Sequence, residues 1–422
     1  MIGRAAAGRR PVRRTNRRRR AAAGSQPIDV RLWRNMLHRQ LTSLRAGELT
    51  LRDAHFGDAR FGAASDLSAT VDVRDGRFYR AVALGGSVGA ARAFMRGDWD
   101  SDDLVAVFRL FARDRAASDR LETGPAAALG AVRRAAHRLR SNTPRRARRN
   151  VSAHYDLGND FFALFLDPSL TYSAAFYDRP HATLADAQRA KIDRLCRKLD
   201  LSRGDHLLEI GTGWGSLAIR AAQTTGCRVT TATLSAEQAA LARRRVAEAG
   251  LTGRVHVVVA DYRELDGRYD KLVSVEMVEA VGHDHLDAFF RVCGQRLRPG
   301  GTMALQAITV PDQRYAIARR QVDVIQQLVF PGADIPSVGA LLAAAARASD
   351  LRVVHLEDNT PHYARTLRDW RARFRARRDD ARALGYAEAF LRLWDLYLAY
   401  CEAGFAEHYT ASVQLVLRRP RA

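Results

Sequence analysis

A chain of 422 residues with 68 lysines and arginines against 46 acidic residues carries a formal charge of +22, and a charge of that size favours polyanionic partners, nucleic acid or an anionic membrane face. Its four cysteines, Cys196, Cys227, Cys293 and Cys401, lack CxxC or His/Cys ligand spacing, so neither a metal site nor a disulfide framework is expected, and a reducing, cytoplasmic compartment is the default. No run of about 18 apolar residues offers a spanning helix, and the length suits two or three domains.

Residues 1–27, with GRRPVRRTNRRRR, read as a disordered basic arm, because no apolar stretch follows the arginines as a secretory signal would require. From 28 to 130 the alternating runs ELTLRD, ATVDVRD and RFYRAVALGG precede a helical pattern over 102–117, a small α+β module. Its glycine-rich GGSVGAARAF lacks the Lys-Ser/Thr of a phosphate loop, which favours a structural turn. Residues 131–150 form a second basic cluster, a helix running into a linker; a solvated face and membrane-surface attachment are both open readings of it.

The most informative run is LLEIGTGWGSLAI, residues 207–219. A short apolar strand carries Glu209 near its end, and Gly211, Gly213 and Gly215 remove side chains where the backbone must approach a ligand and turn into a helix. Strand candidates follow at 227–233, 254–260, 270–276 and 302–308, with helical patterns between most of them. This order predicts an α/β, Rossmann-like domain with a parallel sheet, of the class I type that binds S-adenosylmethionine, and it puts Glu209, Thr233, Asp261 and Glu276 on one rim. The second strand ends without the acidic residue that commonly holds a ribose. Gln238 can take that role or form a capping box with Ser235, and Asp261 is a candidate for the adenine edge.

Further motifs stand in a fixed order: AHYDLGNDFFALFLDPSLTYSAAFYD (153–178), TLSAEQ (233–238), VEMVEAVGHDHLDAFF (275–290), QAI (306–308), FPGADIPS (330–337), DNTPHYARTLRDW (358–370) and YLAYCEAGFAEHY (397–409). Together with the glycine motif and the front module they resemble the cyclopropane-fatty-acyl-phospholipid synthases and related mycolic acid methyltransferases. The resemblance implies a lipid-associated N-terminal domain over 28–130 and a catalytic domain over 151–422 with a lid insertion around 312–350. It implies that Tyr155, Tyr172 and Ser173 close over S-adenosylmethionine in front of Gly211 and Gly213. A bicarbonate ion is the family's base, and Glu279, Tyr363 and Cys401 match three positions that hold it.

Two positions depart from the family. Ala174 stands where many members have cysteine, and Gln306 where many have histidine. Glutamine can donate a hydrogen bond but cannot carry the charge of an imidazolium; alanine keeps the backbone N–H. The implied reaction is methyl transfer to the cis double bond of a phospholipid acyl chain and closure to a cyclopropane, with a methylene- or methyl-branched chain as the alternative product. An RNA methyltransferase is the competing reading of the charge and the core, but no catalytic Asn-Pro-Pro-Tyr loop stands at the fourth strand. A non-catalytic paralogue is the third reading. Expected partners are an unsaturated acyl chain and the anionic inner membrane face, with no specific nucleic acid, and the family's habit suggests a homodimer. Phe161, Phe162 and Phe165, and the segment around 328–330, are candidates for an acyl channel, the phenylalanines equally for plain core. The pattern over 387–405 predicts an amphipathic, mostly structural helix.

Overall fold

The computed structural model describes residues 28–123, 126–128, 130 and 157–421. The basic arm, the linker and Tyr155 lie outside these residues. The front module holds a sheet of order β2-β1-β3-β4, made of β1 (Glu48–Asp53), β2 (Ala59–Gly62), β3 (Ser68–Val73) and β4 (Trp99–Asp100). Strand alternation turns Leu49, Leu51, Val71 and Val73 to one face, where they are buried with Leu37, Val82 and Leu110 from three helices.

The expectation for RFYRAVALGG is corrected here: it opens the helix Arg77–Arg96 rather than a short extended run. Phe78, Tyr79, Val82 and Ala83 are buried at helical spacing, a 3.6-residue period mistaken for alternation. The glycine-rich stretch lies inside this helix, which kinks at Gly86 (φ 58°). There the Glu122 carboxylate accepts the Ser87 backbone N–H at 2.7 Å, and a Cβ on Gly86 would come within 2.5 Å of that carboxylate. The pattern over 102–117 becomes two helices, Leu104–Arg113 and Arg115–Leu121, because Asp114 ends the first and its carboxylate caps the second through the Ala117 N–H.

The large sheet has the order β10-β11-β9-β8-β5-β6-β7. Its strands are β5 (His206–Ile210), β6 (Arg228–Thr233), β7 (Val255–Val259), β8 (Tyr269–Val275), β9 (Leu297–Thr309), β10 (Arg352–Asp358) and β11 (Ala411–Arg418). From β9 to β7 all pairings are parallel, whereas β11 runs antiparallel to both of its neighbours, so the sheet is mixed. With β6 on one side of β5 and β8 on the other, strand order reverses at β5. A crevice opens there at the carboxyl ends of the strands.

Helix Glu388–Ala406 joins the two halves. It packs along helix Thr360–Ala376 and against the front helices Arg77–Arg96 and Leu104–Arg113. Arg392 lies over the Phe94 ring at 3.9 Å and donates to the Trp99 carbonyl at 3.0 Å, while Arg109 and Arg113 both bind Glu407. Of the segment expected to cover the site, helix Val338–Ala348 packs on the sheet layer through Leu341, Ala344 and Ala345. The preceding residues, with helices Asp312–Ala318 and Val324–Leu328, lie over the crevice, and Arg314 pins them to Asp119 of the front module at 2.8 Å.

Candidate active site

The crevice is a cavity of about 640 Å³ that runs from the glycine loop, beneath residues 321–335, to apolar side chains of the front module such as Leu37, Leu49, Val82 and Phe108. Gly211, Gly213 and Gly215 all have left-handed φ, at 103°, 51° and 85°, and Gly215 begins helix Ser216–Thr225. A Cβ built on Gly213 would meet no atom within 4 Å. The space above the loop is open for a ligand's approach to the backbone.

Glu209 is 3% exposed, and its Oε2 has no hydrogen-bond partner. Burial pushes its carboxyl up to about 8, against the pull of Thr231 and Lys191. An orphaned buried carboxylate oxygen beside an open glycine loop suits a ligand that brings a cation or N–H donors, as the amino-acid moiety of S-adenosylmethionine does.

Thr233, Gln238 and Asp261 line the same cavity. The capping box forms only by half: Ser235 accepts the Gln238 backbone N–H at 3.2 Å, while the Gln238 Oε1 accepts the Thr233 hydroxyl at 2.9 Å. Asp261 is bound bidentately by Arg263 at 2.6 and 2.8 Å. Tyr172 and Ser173 line the same cavity; their hydroxyls meet the Tyr397 hydroxyl at 2.9 Å and the Lys191 Nζ at 2.8 Å.

Two of the positions that the resemblance assigns to the base, Gln306 and Tyr363, converge with the Ala174 backbone on a side chain it did not assign. Glu276 Oε1 accepts the Ala174 backbone N–H at 2.9 Å and the Gln306 Nε2–H at 2.8 Å, and Oε2 accepts the Tyr363 hydroxyl at 2.6 Å. Gln306 is fully buried, and its own oxygen accepts from Gln414 Nε2 at 2.9 Å, an arrangement that aims its amide nitrogen at Glu276. Tyr363, Cys401 and Glu279 line the cavity; Gln306 lies behind its wall. Glu279 Oε1 accepts the Ile308 N–H and Oε2 has no partner, and burial together with the charge of Glu276 raises its carboxyl to about 8. Burial also pushes Glu276 up, while its three donors and Lys191 pull it back. The Cys401 thiol is pushed well up by burial, so it is no thiolate.

Two site residues escaped the sequence reading. The sequence puts Glu276 on the rim without a role, and the left-handed backbone that aims its side chain (φ 49°) has no sequence signal. Lys191 did carry one: in helix Leu184–Leu199 it falls on the same stripe as Leu184, Ala187, Ile192 and Leu195, all buried, and it is 2% exposed. Phe161, Phe162 and Phe165 are wholly buried in an aromatic cluster with Trp394 and do not line the cavity, whereas Phe330 does.

Strand order, glycine loop and rim residues together define a class I S-adenosylmethionine-dependent methyltransferase. Residues 142–415 match the mycolic acid cyclopropane synthetase family, and the chain belongs to that family. It is 42% identical over 393 residues to the tuberculostearic acid methyltransferase UfaA1 of Mycobacterium tuberculosis, covering 89% of each chain. It is 32% identical over 372 residues to the cyclopropane-fatty-acyl-phospholipid synthase of Escherichia coli K12, covering 86% of this chain and 91% of the other. The solved mycolic acid cyclopropane synthase CmaA1, complexed with SAH and CTAB, superposes with a TM-score of 0.60 at 33% identity, over 64% of this chain and 98% of its own. The protein is thus an S-adenosylmethionine-dependent enzyme that modifies fatty acyl chains.

Proposed function

We propose that the protein methylates a cis double bond in the acyl chain of a membrane phospholipid. The observation that carries this reading is one continuous cavity that joins the glycine loop to two enclosed carboxylates and then to an apolar interior shared with the front module. Bound S-adenosylmethionine supplies an electrophilic methyl group; Glu209, the loop at Gly211 and Gly213, Thr233, Gln238 and Asp261 would hold it, together with Tyr172 and Ser173. An alkene is a weak nucleophile, so the enzyme's share is alignment and exclusion of water. The residues over 321–335 and the front module close the cavity for that purpose, and the apolar interior accommodates the rest of the chain. Methylation at one alkene carbon leaves a cation at the other. Tyr172, Tyr363 and Phe405 line the cavity, and their aromatic rings would stabilise that cation. The basic stretches of the sequence suit an anionic headgroup layer at the inner membrane face.

Proton loss from the cation determines the product. Ring closure is the family's reading. Retention of a double bond as a methylene branch has its own support: Gln306 cannot carry the charge of a histidine, and the relative that matches 89% of the chain bears the name of a methyltransferase rather than a cyclopropane synthase. Incubation with S-adenosylmethionine and vesicles of a monounsaturated anionic phospholipid, followed by mass spectrometry and a test for unsaturation, decides. A one-methylene mass gain is expected. Loss of unsaturation would mean a ring and its retention a methylene branch, whereas labelling of RNA and not lipid would overturn the reading.

A further inference from the structure

The hydrogen bonds at Glu276 describe an anion site that the chain has filled for itself. A base in this pocket needs a carboxylate-like group held by the Ala174 N–H, the residue at position 306 and the Tyr363 hydroxyl, and all three donate to Glu276 at 2.6–2.9 Å. We propose that the Glu276 carboxylate is the built-in proton acceptor of the reaction, in the place of a diffusible bicarbonate ion; the proposal rests on the acyl-methylation reading above.

Three independent observations support it. The first is backbone strain: Glu276 has φ 49°, a left-handed conformation that glycine adopts freely and that is strained for a residue with a side chain. Strain of this kind persists where the side chain is needed in place. The second is geometry. Glu276 lines the cavity, and both of its oxygens are held by donors on three other segments, residues 174, 306 and 363, so its position is set before substrate arrives. The third is polarity: the network Lys198–Gln414–Gln306 orients the Gln306 amide, with Lys198 Nζ on Gln414 Oε1 at 2.6 Å. Gln306 therefore offers N–H and not oxygen to the pocket. A glutamine suits a permanent carboxylate, which needs a donor but no further proton.

The proton step balances within the acyl chain and this residue. After methylation one carbon of the former alkene is cationic. In the branched route a hydride moves from the methyl-bearing carbon to its neighbour, a methyl C–H bond then gives its electron pair to form the C=C of the methylene branch, and the proton passes to Glu276. In the ring route the same C–H pair forms the new C–C bond and the proton again passes to Glu276. Neither route needs an added oxidant or reductant.

The test compares the wild-type enzyme with Glu276→Gly and Glu276→Gln. Glycine relieves the φ strain and opens the anion site, while glutamine keeps the shape without the base. Wild-type turnover on monounsaturated phospholipid vesicles is expected to be the same in carbonate-depleted buffer and with added bicarbonate. Both variants should lose about 10²- to 10⁴-fold, and bicarbonate or formate should restore Glu276→Gly in proportion to concentration but not Glu276→Gln. A readout free of turnover accompanies it: ¹³C-bicarbonate should bind Glu276→Gly, by NMR line broadening and a raised Tm, and not the wild type. A bicarbonate requirement or bicarbonate binding in the wild type would overturn the proposal and leave acyl methylation standing. Absence of any wild-type lipid product would overturn acyl methylation instead, and the binding comparison would still judge whether Glu276 fills the anion site.

Discussion

The polar part of the cavity has two ends of different construction. The glycine loop is local: Glu209, Gly211, Gly213 and Gly215 lie within seven consecutive residues, and the backbone itself forms the surface. The carboxylate pocket draws on Ala174, Lys191, Glu276, Gln306 and Tyr363, parts of the chain nearly two hundred residues apart, held by side-chain hydrogen bonds. A loop of backbone tolerates neighbouring substitutions but not side chains of its own. A pocket of side chains can exchange one anion holder for another and keep its shape.

The sharpest way to break the contrast is Gly213→Val. A β-branched side chain at φ 51° is strained and projects into the space above the loop. Affinity for S-adenosylhomocysteine in calorimetry should fall by roughly a hundredfold or more, about 3 kcal/mol, with the pocket's hydrogen bonds intact. Tyr363→Phe tests the other end. It removes one donor to a carboxylate, a loss of about 1.5–3 kcal/mol, so kcat should drop by roughly ten- to a hundredfold while S-adenosylhomocysteine binds as before. Equal losses in both measurements would mean that the two ends do not act separately.

Lys191 serves both ends, since its charge acts on Glu276 and on Glu209, and on Asp167 as well. Its own pKa is lowered by burial to about 8. In Lys191→Met the Glu276 and Glu209 carboxyls lose a stabilising cation and their pKa values rise, so the acidic limb of the pH–rate profile should move to higher pH. A limb that stays in place would remove Lys191 from the electrostatics of the site.

The smallest effect concerns stability. Glu279 keeps its proton in the folded protein up to about 8, against an unfolded value of 4.5. Its contribution is therefore fully present below 4.5 and is lost as pH rises through the folded value. The Tm of the ligand-free protein should decline across that window, and Glu279→Gln should make the decline shallower without abolishing it, because Glu209 behaves in the same way. An unchanged slope would mean that Glu279 is ionised in the fold.

The sequence by itself determined the glycine loop, the strands β5 to β9, the rim residues and the helix Glu388–Ala406, because each is written in contiguous residues with a clear period or turn chemistry. It also determined the family, through motifs in fixed order. It misread RFYRAVALGG, where two periods compete in ten residues, and it did not place β10 or the antiparallel β11, whose positions depend on pairing across the chain. Only the tertiary structure decided that Gln306 lies behind the cavity wall, that Lys191 is buried within electrostatic reach of Glu276, Asp167 and Glu209, and that Glu276 takes the donors of Ala174, Gln306 and Tyr363. The physical reason is that an anion site is defined by where N–H and O–H groups converge in space. That convergence depends on a left-handed backbone at one residue and on contacts between segments far apart in the chain, and neither leaves a pattern in the order of the amino acids.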